Sequence, residues 1–128
     1  MVSIEKTNNG TFEIKNELGH VTVGLKSPGG EEGLTPLELI SSSLGLCVAL
    51  TLNQLIERDN LNVDELKVDV GAEKSTEKPS RIARFIVDIS FSGEFDEKVK
   101  AKLIKIANRA CTIGNTLAHG AEVEVNVN

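Results

Sequence analysis

The chain has 128 residues, 40% apolar and 26% charged, with a net charge of −5. That length is enough for a core of its own and predicts a single domain over residues 1–128. The acidic balance, the absence of Trp and Tyr and the presence of four Phe argue against a nucleic-acid partner. Phosphate binding needs clustered Lys and Arg, and base stacking needs aromatic rings.

The first ten residues, Met1 to Gly10, lack the basic and apolar regions of a signal peptide. The most apolar stretch is interrupted by three Ser and a Gly, and so falls short of a continuous span of about 20 apolar residues. A cytoplasmic protein with no membrane partner is expected. In a reducing cytosol, two cysteines are more readily catalytic than structural if they pair.

In chain order, Val2 to Lys6 alternates with period two, and Thr7-Asn8-Asn9-Gly10 supplies a turn. Thr11 to Lys15 alternates again, Asn16-Glu17-Leu18-Gly19 turns, and His20 to Leu25 makes a third strand. Ser27 to Gly33 is a breaker-rich connection.

Thr35-Pro36-Leu37-Glu38 then reads as a capping box with proline at the first helical position. The helix it opens, running to Arg58, is apolar almost all round, as a buried helix is. Ser41, Ser42, Ser43 and Gly45 keep one section of it thin enough for another backbone to approach. Asp59-Asn60-Leu61-Asn62 ends it.

Leu66 to Ala72 and Ile82 to Phe91 are strand-like, joined by a polar hairpin tip at Glu73 to Arg81. From Glu94 to Cys111 the period becomes helical. Val99, Leu103, Ile106, Ala107 and Ala110 share one face, and Lys98, Lys102, Lys105 and Arg109 lie largely off it as a solvated series. Cys111 to Leu117 is a turn or short helix, and Ala121 to Val127 has the alternation of a closing strand. The sum is an α+β fold, with helices against mainly antiparallel sheet. One small sheet and one helix cannot readily cover the central helix, so a homodimer that buries it against its twin is expected.

Cys47, in the middle of the central helix, and Cys111 are the two thiols. Free cysteines are commonly inert and buried, and two such thiols are the plain reading of the composition. Mid-helix, Cys47 gains nothing from the start of its own helix and needs a nearby cation to become a thiolate. Cys111 sits at a helix-to-turn junction, near the start of the next short helix. If folding brings the two together, they form a redox pair. One thiolate takes oxygen from an oxidant to give a sulfenic acid, which condenses with the other.

A zinc site built from Cys47, Cys111, His20 and His119 has no CxxC or HxxxH spacing behind it. Gly29-Gly30 is followed by no GK[ST], and no GxSxG organises a nucleophilic serine.

Two blocks carry a family resemblance. Gly33-Leu34-Thr35-Pro36-Leu37-Glu38-Leu39 with Leu44-Gly45-Leu46-Cys47, and Ala110-Cys111-Thr112-Ile113-Gly114-Asn115-Thr116-Leu117 with Glu122-Val123-Glu124-Val125, resemble the central helix and second cysteine region of the OsmC/Ohr family. The resemblance implies an intertwined α+β homodimer with thiol-dependent peroxidase activity on small organic hydroperoxides. It makes Cys47 the peroxidatic thiolate and Cys111 the resolving thiol, with a dithiol reductant reopening the disulfide. It implies no metal or organic cofactor.

The chain departs from the peroxidase branches at two points. Those branches have an acidic residue directly after the proline, paired with an arginine from the N-terminal region. Here Leu37 follows Pro36, the acid is Glu38, and no arginine precedes Arg58. Glu38 lies nine residues from Cys47, on the opposite side of a helix that advances about 100° per residue, which makes it a cap before a catalytic carboxylate. Arg84 is the candidate substitute for the missing cation, with a surface position as its other reading. The expectation is a divergent OsmC-like branch. The alternative is a non-enzymatic OsmC-like protein that binds a small apolar or thiol ligand.

Overall fold

The computed structural model describes all residues, Met1–Asn128. The fold is α+β, with two antiparallel sheets and one long helix. It divides into two compact units, Met1–Ser41 and Ser42–Asn128.

In the first unit, β1 (Val2–Lys6), β2 (Phe12–Asn16) and β3 (Val21–Gly24) pair in that order. The turns between them are the ones the sequence signals. Gly10 and Gly19 take positive φ, of 82° and 85°, where a Cβ would be strained. Asn16 Oδ1 accepts from the backbone N–H of Leu18 and His20, an Asx-type turn. The first residues of α1 (Pro36–Arg58) close this unit, and the helix runs on into the second. Its start is the reciprocal cap the sequence predicts: Thr35 N–H donates to Glu38 Oε1 at 3.0 Å, and Glu38 N–H donates to Thr35 Oγ1 at 3.2 Å.

In the second unit, β4 (Asn62–Lys74) and β5 (Ile82–Glu94) form a long antiparallel ribbon. Both strands are longer than the sequence pattern suggests, because a register shift between Val63 and Glu65 interrupts the alternation without ending the ladder. Leu66, Val68, Val70 and Ala72 pair with Phe91, Ile89, Val87 and Phe85, making one apolar face. Leu44, Val48, Leu52, Leu55 and Ile56 of α1 are buried in one core with Phe91, and with Leu103 and Ala107 of α2 (Glu97–Ala110). The sequence places this second helix correctly, and Asp96 caps it by accepting from Lys98 N–H at 2.9 Å. At Gly45 an added Cβ would come within 3.0 Å of Val70 Cγ2, so the thin section of α1 is where β4 packs.

One expectation is corrected, that of a closing strand. Within the single chain the central helix is not buried all round: its Leu46 and Leu50 are 60% and 54% exposed, as the sequence expects of a helix that one small sheet and one helix cannot cover. A helix uniformly apolar in sequence has been given one covered stripe and one bare one. Ala121 to Asn128 forms no strand, and Val123, Val125 and Val127 are exposed. The alternation is there, but a strand exists only when its N–H and C=O groups find a ladder, and this segment has no pairing partner in the chain.

Candidate functional site

Cys47 lies three residues beyond Leu44 and one before Val48, beside the covered stripe of α1, and is half-buried. Cys111 is 1% exposed and falls between α2 and α3 (Thr112–His119). It is the N-cap of α3. Its backbone is extended (φ −71°, ψ 105°), and its Sγ accepts from Gly114 N–H at 3.3 Å. This is the role a serine or aspartate oxygen plays at an ordinary helix start. Gly114 suits the position, since a Cβ there would stand 3.3 Å from Cys111 Sγ and 3.6 Å from Leu44 Cδ1.

The fold brings the two thiols together. Ile113 N–H, the Cys111 thiol and Thr112 N–H are the groups near the Cys47 sulfur that favour its ionised form. These donors hold Cys47 below the ordinary thiol range, led by Ile113 N–H and opposed by partial burial. Cys111 moves the other way. Burial pushes it up, and its hydrogen bond to Cys47 adds to that because ionisation would destroy the donor; Gly114 N–H opposes the rise. The pair is therefore asymmetric. Cys47 is the more readily ionised of the two and Cys111 the one that more firmly keeps its proton.

No cation is among the groups that lower the Cys47 pKa, where the sequence expects one. Residue 47 is far from the start of its own helix but close to the start of another. The first N–H groups of α3 have no partners within that helix, and they carry its positive end. Thr112 and Ile113 bear on Cys47, and Gly114 on Cys111, through their backbones, which no side-chain pattern reveals. The one sequence signal was the cysteine at a helix-to-turn junction.

An OsmC-like protein family model matches residues 29–126. The chain belongs to the OsmC-like protein family. A comparison with curated proteins finds no match. Among solved structures, this OsmC-like chain is similar to an OsmC-like protein from Mycoplasma pneumoniae, at 17% identity and TM-score 0.83, covering 100% of this chain and 93% of that one. It is also similar to the organic hydroperoxide resistance protein OhrB of Bacillus subtilis, at 17% identity and TM-score 0.65, covering 91% and 87%. An organic hydroperoxide resistance protein from Elizabethkingia anophelis is similar at 16% identity and TM-score 0.65, covering 91% and 86%. At such identities the likeness is one of fold.

The other residues singled out in sequence lie elsewhere in this OsmC-like chain. Glu38 is held by Thr35, whose backbone and side-chain hydrogen bonds lower its pKa. Arg84 is exposed on β5 and pairs with Glu73 on β4 at 3.5 Å. His20 is exposed, and the exposed His119 ring has Nδ1 2.9 Å from Asn115 O. No group of three or more His, Cys, Asp or Glu is arranged to hold a metal ion.

Proposed function

We propose that this protein is a cytoplasmic, homodimeric thiol peroxidase that reduces organic hydroperoxides with Cys47 and Cys111. The observation that carries the reading is Cys47 packed against the core that holds Cys111, at the start of α3, with the Cys47 pKa lowered and that of Cys111 raised. Family membership and the hydroperoxide resistance proteins among its structural relatives support it.

In this reading the Cys47 thiolate attacks the outer oxygen of ROOH. The O–O bond breaks, the alkoxide takes a proton and leaves as ROH, and Cys47 becomes a sulfenic acid. Cys111 sulfur then attacks the Cys47 sulfur. The S–S bond forms, and hydroxide leaves with the Cys111 proton as water. A dithiol reductant restores both thiols by exchange and is itself oxidised to a disulfide. No cofactor enters any step. The bare stripe of α1 with Leu46 and Leu50, and the exposed valines of the C-terminal segment, support a second copy as their cover.

The test is consumption of cumene hydroperoxide with a dithiol reductant, run beside Cys47→Ser and Cys111→Ser. Turnover that disappears in Cys47→Ser, with an intramolecular disulfide in the oxidised wild type, is the expected result. Absence of both turnover and disulfide would overturn the peroxidase reading. A monodisperse monomer at micromolar concentration would overturn the dimer.

A further inference from the structure

A cavity of about 350 Å³ opens between α2 and β5 and reaches Cys111. It falls at the lower end of the range for small-molecule sites, about 300–1,000 Å³. Its walls are Val87 and Ile89 of β5, Leu44 and Val48 of α1, and Ile104 of α2. Ala101, Ile104, Lys105 and Asn108 stand at i, i+3, i+4 and i+7, so one stripe of α2 faces this space. Ala101 is the small member of that stripe and leaves the room.

The lining has a marked polarity. In a chain of net charge −5, no acidic residue lines the cavity, and its one charged residue is Lys105, with Asn108 one turn on. Lys105 joins none of the protein's ion pairs. An apolar slot with a free cation and an amide is complementary to a molecule with a hydrocarbon body and one anionic oxygen group. A neutral molecule would leave the lysine unused, and a cationic one would be repelled by it.

We propose that this cavity binds a carboxylate-headed hydrocarbon chain of medium length, its carboxylate at Lys105 and Asn108 and its chain directed toward Cys111. The bound molecule needs no hydroperoxide group and is not consumed. The site borders the resolving thiol of the proposed peroxidase, since its lining includes Cys111, but its binding requires no turnover at Cys47. A ligand seated there stands against the buried thiol and shields it.

The test is calorimetric titration of the Cys47→Ser protein, which cannot form the disulfide, with decanoate below its micelle concentration. Decyltrimethylammonium serves as the chain-matched cation. Saturable one-to-one binding of decanoate is expected, with at least about tenfold weakening in Lys105→Glu, which replaces a charge-assisted contact by repulsion. Ala101→Trp, at an exposed helix position, fills the slot and should abolish binding. Alkylation of Cys111 should slow when decanoate is present, a readout that needs neither variant. No saturable binding, equal binding of the cation, or binding unchanged by both substitutions would overturn the proposal. Because Cys47→Ser carries no turnover, failure here leaves the peroxidase test untouched, and the reverse also holds.

Discussion

Replacing Leu52 by alanine tests where the core of this protein sits. Leu52 is fully buried in the stripe of α1 that packs with Phe91, Leu103 and Ala107. Truncation removes three carbons from a position with no solvent to fill the gap. Lost transfer energy and the residual cavity together cost about 3–5 kcal/mol, or roughly 10–20 °C in melting temperature for a chain of this size. Leu50, two residues away, is 54% exposed. Within the isolated chain Leu50→Ala should cost about 1 kcal/mol or less, since barely half of a leucine's burial is at stake. Urea unfolding followed by circular dichroism, at dilute and concentrated protein, measures both. A loss below about 1 kcal/mol for Leu52→Ala would refute the assignment of the covered stripe. A Leu50→Ala loss that climbs toward the Leu52→Ala value at high concentration would show the bare stripe meeting a second copy.

Other predictions follow from the thiols and the helix starts. Because the Cys47 pKa is lowered and that of Cys111 raised, alkylation should modify Cys47 first as pH rises from neutral. Cys47 should keep reacting at pH values where an ordinary thiol is protonated, and equal pH profiles for the two would sink the asymmetry. Thr112→Pro removes one N–H donor to Cys47 at the first position of α3. Proline is well tolerated there, and Cys111 already has the extended backbone it requires. The Cys47 profile should move to higher pH without loss of helix; an unchanged profile would remove Thr112 N–H from the activating set. Thr35→Ala should lose about 1 kcal/mol of stability with its half of the capping box. Glu38→Gln should lose less and leave hydroperoxide turnover intact, so a collapse of turnover in Glu38→Gln would restore Glu38 to the catalytic group.

What was legible in the sequence is what depends on neighbours in the chain. The capping box at Thr35 and Glu38, the glycine turns and the period of α2 are all local, and the structure carries each of them. The family resemblance rested on two short blocks, and the match over residues 29–126 contains both. The environment of Cys47 was not legible, because its donors come from Thr112, Ile113 and Cys111, more than sixty positions away, through backbone groups every residue type shares. The closing strand shows the opposite case. Glu122 to Val127 has the alternation of a strand, yet pairing is a property of two segments and only one is present in the chain. For α1, uniform apolarity announced that the helix seeks cover, and it is silent about which side the same chain covers.

Cys111 holds two offices with one sulfur atom, and this shapes how any variant there can be interpreted. The lone pairs that accept from Gly114 N–H secure the beginning of α3, and the same atom faces Cys47. Alanine at position 111 would remove the thiol and also loosen the helix whose amides lower the Cys47 pKa, so its phenotype would mix chemistry with architecture. Serine keeps an acceptor in place and isolates the sulfur. For a lineage drifting away from thiol chemistry, this makes Cys111 slow to discard: its architectural duty gives selection a reason to retain it after the reaction has gone.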